Sequence, residues 1–215
     1  MANEQMELPI NIVLASKSPR RVDLLTQFLE HQFGEGVMTF EIDPPNIDES
    51  PLAHETPIAH VQRLAVAKSH AVAARHHNAA VIIAADTTVD LDSKIFGQPV
   101  DEHDARSMLN ELSGRTHQVH TAVAVVHLAH DGTMLSQAHG LDSAGVSMLE
   151  ITPEKMEWYL STGESMGKAG SYAVQGDGGA LVERVEGSLT TVIGLPLDLL
   201  ANLLAQVDCG WKNEA

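Results

Sequence analysis

The chain has 215 residues, 44% hydrophobic and 20% charged, enough for one generous domain or two small ones around a sizeable core. Its 29 acidic residues against 13 lysines and arginines give a formal net charge of −16, which argues against the basic face that a nucleic-acid polymer or an anionic membrane surface requires. One cysteine, Cys209, excludes an internal disulfide and a thiolate metal cluster; with no basic leader and no apolar run near the roughly 20 residues of a membrane helix, the expectation is a soluble, cytoplasmic protein.

In chain order, INIVLA (10–15) reads as a buried strand that runs through SKSP into a helix. Ser18 is its expected N-cap and Pro19 its first helical residue, and Val22, Leu24, Leu25, Phe28 and Leu29 give it a core face. Residues 34–57, rich in Pro, Asp and Glu and without periodicity, read as strand edge and loop. Thr56-Pro57 opens a second helix with Ile58, Val61, Ala65 and Val72 on one face. AVIIAAD (80–86) reads as a second buried strand ending at Asp86. A helix over 101–112 carries Ala105, Met108, Leu109 and Leu112, with Gly114 just past its end. HQVHTAVAVVHLAHDGTML predicts a hairpin turning at Asp131-Gly132. TPEKMEWYLSTG is another Thr-Pro helix, and six glycines fall between 163 and 179. A strand over 180–186 and a helix from about Pro196 to Gln206 close the chain. Strands alternating with helices, plus a hairpin, predict an α/β (mixed α+β) fold with a mixed sheet. The expected organisation is a single domain over 1–215 with flexible ends at about 1–8 and 208–215.

ASKSPRRVDLL (15–25) concentrates Lys17, Arg20 and Arg21 in an acidic chain. A strand entering a helix through Ser16-Lys17-Ser18-Pro19 directs backbone N–H groups and the positive end of the helix dipole at one spot. The Ser16 and Ser18 hydroxyls and the two arginines would complete a site for a small anion. The competing reading is a plain cap with arginines on a solvated face. Lys68 falls among Val61, Ala65 and Val72 on the apolar face of the second helix, where an ammonium is costly unless it meets an anion or lines a cleft; the alternative is a lysine snorkelling from the edge of the core. Asp86, closing the most apolar strand, sits where α/β sheets place ligand groups, or else caps the next loop. With Asp90 and Asp92 close in sequence, an acidic cluster for a hard divalent cation is expected. Basic groups for phosphates facing acids for a metal suit nucleotide hydrolysis.

GESMGKAG (163–170) is not a Walker A loop, because only three residues separate Gly163 from Gly167 and Ala169 replaces the required Ser or Thr, although Lys168 in a glycine-rich loop is notable. The 12 histidines show no zinc spacing; His117 and His120 fall on opposite faces of their strand.

LASKSPRRVDLL (14–25), AADTTVDLDSKIFGQPVDEHDARSMLNELSGRTHQVHTAV (84–123) and GKAGSYAVQGDGGALVERVEGSLTTVIGLPL (167–197) together resemble the Maf family, the septum-formation-related nucleoside triphosphate pyrophosphatases, in the family's order and over nearly the whole chain. The resemblance implies an inosine-triphosphate-pyrophosphatase-like mixed twisted sheet with flanking helices and two lobes around a central cleft, often as a homodimer. It implies hydrolysis of a nucleoside triphosphate to monophosphate and pyrophosphate with Mg²⁺ or Mn²⁺. Carried over by position, Asp86 matches the general base, Ser16 and Arg21 the phosphate loop, Glu49 the acid after the first lobe's strand, and Lys68 the helix lysine. Asp86 and Glu49 are the expected metal carboxylates, and Ser18 and Lys168 are expected to help hold the phosphates. Arg20, Thr87 and Gln175 match positions that select the base and resemble the dTTP/UTP-preferring group. Two positions depart from the family: Gln98 stands where lysine is usual, leaving a cation missing unless Lys94 compensates, and Gly167 stands where aspartate is usual. These departures sustain an alternative, a catalytically weakened nucleotide-binding regulator of division or growth. A phosphosugar phosphatase using the same anion loop is a third and remoter reading.

Overall fold

The computed structural model describes residues 11–211. The β-branched runs predicted as strands form the centre of one mixed sheet. Its elements, in order, are β1 (Asn11–Leu14), α1 (Pro19–Phe33), β2 (Phe40–Ile42), α2 (Pro57–Ala73), β3 (Ala80–Leu91), β4 (Lys94–Phe96), α3 (Glu102–Leu112), β5 (Thr116–Leu128), β6 (Met134–Met148), α4 (Pro153–Ser161), β7 (Val182–Glu186), α5 (Leu189–Ile193) and α6 (Leu197–Gln206). Two short 3₁₀ turns, Ala169–Ser171 and Gly176–Leu181, occupy the glycine-rich stretch. The strand order is β2-β1-β3-β5-β6-β7, with β4 attached to β3. β1 is parallel to β2 and β3, and every other pairing is antiparallel.

Local signals explain where the helices begin. Thr56, Asp101 and Thr152 each accept the amide of the residue three further on, satisfying a donor that helix geometry orphans. Ser18 occupies the N-cap position of α1 with Pro19 following it, as expected, but its side chain makes no capping bond. The Ser18 amide instead donates to Ser16 Oγ at 3.1 Å, so the turn into α1 is closed from upstream.

β3 also departs from expectation. It does not end at Asp86 but runs on to Leu91, because β5 pairs with it without interruption from Ala80 to Asp90. Its other edge is interrupted. β1 pairing stops at Leu14 opposite Ile83, sealed by the Ala15 amide on the Ile83 carbonyl at 2.8 Å. β4 takes up that edge only at Val89. Residues 84–88 therefore cross a gap in the sheet with a strand on one side only, and Asp86 sits at its middle.

Separate cores lie on either side of the gap. One packs α1 and α6 on the first half of the sheet through Leu14, Leu25, Phe28, Leu195, Leu200 and Leu203, with Val13, Val72 and Ile82 on the α2 side. The other gathers Val89, Phe96, Leu109, Leu112, Val146, Tyr159 and Leu181. Leu25 and Ile82 are fully buried, worth about 1.5–3 kcal/mol each over an exposed site. These are the two lobes, joined by the long β3, β5 and β6. Ile58 is a second correction: at 41% exposure in the first turn of α2, it leaves the core face to Val61, Ala65 and Val72. β4 and α5 were not legible as elements, and the strand expected from 180 starts at Val182. At the chain's end Cys209 is buried and Trp211 stacks on Phe28 at 5.2 Å, while residues 1–8 and 212–215 lie outside the described residues. Among the described residues no helix is long and apolar enough to cross a membrane.

Candidate active site

The sheet gap opens into a cleft of about 660 Å³. The turn from β1 into α1 brings Ser16, Ser18, Arg20 and Arg21 to it, α2 brings Lys68, and the loop before α2 brings Glu49. β3 supplies Asp86 and Thr87, and the second lobe supplies Gln98, Lys168 and Gln175. Every residue singled out from the sequence as catalytic or substrate-binding therefore lines one cavity. Of the chain's 13 lysines and arginines, five line it, Lys17 among them, against the acids Glu49 and Asp86. A chain of formal charge −16 thus concentrates a positive surplus where a small polyanion would fit.

The centre is an ammonium shared by two carboxylates. Lys68 Nζ donates to Asp86 Oδ1 at 2.6 Å and to Glu49 Oε2 at 2.7 Å. Two of its three protons are so used, and the third is left for a ligand oxygen. Lys68 and Asp86 are each only 6% exposed, which explains a lysine on an apolar helix face: it meets its anion across the core. Burial raises the Asp86 pKa above its ordinary 3.8, and the charges of Lys68 and Arg21 pull against it without prevailing. A carboxylate so placed is a stronger base than a solvated one.

Arg21 is fixed on three sides. Its Nε donates to the Gly194 carbonyl at 2.8 Å, Nη2 to Thr87 Oγ1 at 3.0 Å, and Nη1 to Ser16 Oγ at 3.5 Å. Gly194 has φ +123°, and a Cβ there would come within 3.3 Å of Thr87 Oγ1 and 3.4 Å of Arg21 Nε, so the carbonyl's approach requires glycine. Ser16 Oγ accepts from the Ser18 amide as well as Arg21, which leaves its own O–H to donate. Thr87 Oγ1 lies 2.9 Å from Thr121 Oγ1, whose proton goes to the Thr191 carbonyl at 2.7 Å. Thr87 must therefore give its proton to Thr121, and it can offer a ligand only a lone pair.

Across the cleft, burial lowers the pKa of both Arg20 and Lys168, and their mutual repulsion adds to the effect on Lys168. Glu164 offsets part of this for both; its carboxylate accepts the Gly178 amide at 3.0 Å and its carbonyl accepts Lys168 Nζ. Tyr172, also lining the cleft, is held from behind by His117 Nε2 at 2.7 Å. Sequence reading missed Glu164, Thr121, Tyr172 and the Gly194 carbonyl; none carries a motif of its own.

Two expectations fail here. Asp90 and Asp92 form no acidic cluster with Asp86: Asp90 is engaged by His120 at 3.3 Å and Asp92 by Arg115 at 2.6 Å. Lys94 does not stand in for the cation absent at Gln98, because it turns to Glu111 at 2.7 Å over the Phe96 ring. Among the described residues no three His, Cys, Asp or Glu side chains are grouped to hold a metal. Glu49 and Asp86, each bonded to Lys68 Nζ through one oxygen, nonetheless keep a second carboxylate oxygen apiece, hard donors of the kind that suit an ion arriving with phosphate oxygens and water.

The sequence model of a family described as Maf-like protein matches residues 11–207. A dTTP/UTP pyrophosphatase of Dictyoglomus thermophilum is 40% identical over 90% of this chain and 94% of its own length. One of Methylobacillus flagellatus is 44% identical over 93% of this chain and 92% of its own. A solved nucleoside-triphosphatase / dITP/XTP pyrophosphatase of Mycobacterium abscessus aligns at 15% identity over 64% of this chain and 74% of that one, with a TM-score of 0.40.

Proposed function

The chain belongs to the Maf-like protein family, and on that footing we propose that it hydrolyses nucleoside triphosphates between the α- and β-phosphates, with dTTP and UTP as its substrates. The observation that carries this reading is the buried Asp86–Lys68 pair, joined by the half-exposed Glu49, in a cleft walled by five cations.

The chemistry follows from placement. The Ser16 hydroxyl, Ser18, Arg21, Lys168 and the start of α1 hold the phosphate chain. Asp86, with Glu49 beside it, orients a water and takes its proton as the oxygen bonds to the α-phosphorus. The α–β bridging bond breaks and pyrophosphate leaves with the electron pair. Lys68 donates its third proton to a phosphoryl oxygen, where charge builds in the transition state. Glu49 and Asp86 are the residues that would hold Mg²⁺ or Mn²⁺, which neutralises phosphate oxygens and acidifies bound water. Arg20, Gln175 and the Thr87 lone pair face the base.

A second reading, a nucleotide-binding regulator weakened in catalysis, is favoured by Gln98 lining the cleft with Lys94 turned away. Incubation with dTTP, UTP, CTP and methylated GTP in Mg²⁺, followed by assays for pyrophosphate and orthophosphate, separates the readings. Pyrophosphate from dTTP and UTP is expected. Tight binding with no product would establish the regulator instead, and orthophosphate would indicate a phosphatase.

A further inference from the structure

We propose that Arg63, locked to Glu55, is a positioning residue for Glu49, acting through the loop that carries it. The proposal rests on the pyrophosphatase reading of the cleft. Residues 43–56 contain no helix or strand, and Glu49 lies near their middle. Its side chain is 50% exposed and meets the protein at Lys68 Nζ. A carboxylate on that footing takes its place from the backbone beneath it.

That backbone is tied to α2. Glu55, its side chain only 7% exposed, accepts Arg63 Nε at 2.6 Å and Nη2 at 2.8 Å, a two-pronged pair with fixed geometry. It also accepts the Leu52 amide at 3.0 Å and contacts His60 Nδ1 at 2.9 Å. The Arg63 guanidinium holds the Glu55 carboxyl far below the usual carboxylate range. The same Nη2 donates to the Ser50 carbonyl at 3.1 Å, one residue from Glu49, and Asp48 Oδ1 closes the turn by accepting the Ser50 amide at 2.9 Å. At the loop's start Asp43 accepts Arg75 Nη2 at 2.5 Å. Arg63 and Lys68 stand five apart on α2, on different faces, so one rigid helix holds both the ammonium and the loop that delivers the second carboxylate to it.

The test is a double-mutant cycle of Arg63→Met with Glu49→Gln, read as kcat and KM for dTTP. Glu49→Gln and Arg63→Met are each expected to lower kcat at least about 10-fold with little change in KM, since small misplacements of a reacting group cost this much or more. In the Glu49→Gln background Arg63→Met should lower kcat by less than about 2-fold, the signature of two residues acting as one. Equal losses in both backgrounds would overturn the clamp and leave the pyrophosphatase reading intact. An unchanged kcat in Glu49→Gln would remove Glu49 from catalysis, and the clamp's purpose with it. Glu55→Gln, which keeps volume and an acceptor, serves in the same cycle if Arg63→Met does not fold. A parent that releases no pyrophosphate fails the underlying reading alone, and the clamp is then read by amide hydrogen exchange: faster exchange over residues 48–52 in Arg63→Met supports it, and unchanged exchange overturns it.

Discussion

Asp86 carries two opposed demands. Burial makes it hold a proton more tightly when folded than when unfolded, while the proposed water activation requires the ionised form. The folded state is favoured below the ordinary value of 3.8 and loses that advantage as pH rises through the raised folded value, so at neutral pH the ionised carboxylate subtracts from stability. Asp86→Asn keeps the shape and can still accept from Lys68. It is expected to bind nucleotide, to turn over at least about 100-fold more slowly, and to melt no lower than the parent in chelator at neutral pH. Near-normal turnover would remove Asp86 as the base. At this scale the site was largely legible, because its residues are chemically out of place: a lysine on an apolar helix face, an acid in the most apolar strand, three cations within residues 17–21 of an acidic chain. The Gly194 carbonyl and the Thr121 hydroxyl that aim Arg21 and Thr87 were not legible, since a main-chain acceptor and a strand threonine look like any other until the fold brings them 173 and 34 residues across the chain.

Among the elements, β5 supports the second lobe's wall of the cleft. His117 lies 2% exposed beneath Tyr172, its Nε2 bonded to the tyrosine hydroxyl and its Nδ1 buried without a partner among the described residues. Burial depresses its pKa from 6.5 to about 4, so between those values the unfolded chain is protonated and the folded one is not. Stability therefore falls as pH drops through that window, by up to about 3 kcal/mol from this residue. Denaturant melts at pH 7 and pH 4.5 should show a smaller acid loss in His117→Gln than in the parent, and equal losses in the two proteins would contradict the assignment. Helix starts were readable because Thr-Pro and Asp caps act locally. The length of β3 was not: nothing within AADTTVDL announces that β5 will pair through Asp90, and the acid that reads as a strand end becomes the middle of a gap. β4, of three residues, is likewise made by its partner rather than by its own sequence.

For the whole molecule, the division of charge decides the function. An acidic chain surrounds a cleft with five cations and two acids at its lining, an arrangement that admits a compact polyanion. The gap left by β1 and filled again by β4 gives that polyanion a place within the sheet itself, with Asp86 facing it and Lys68 alongside. The mixed sheet was legible from alternation and the hairpin and the two lobes only through the family resemblance, whereas the gap that makes the cleft depends on where two neighbouring strands stop. In the proposed reaction water attacks the α-phosphorus at this point. Its most direct test is hydrolysis of dTTP in water carrying a heavy oxygen isotope, with the products weighed by mass spectrometry. The label is predicted in the nucleoside monophosphate with unlabelled pyrophosphate beside it; label in pyrophosphate or in orthophosphate would rule out attack at the α-phosphorus.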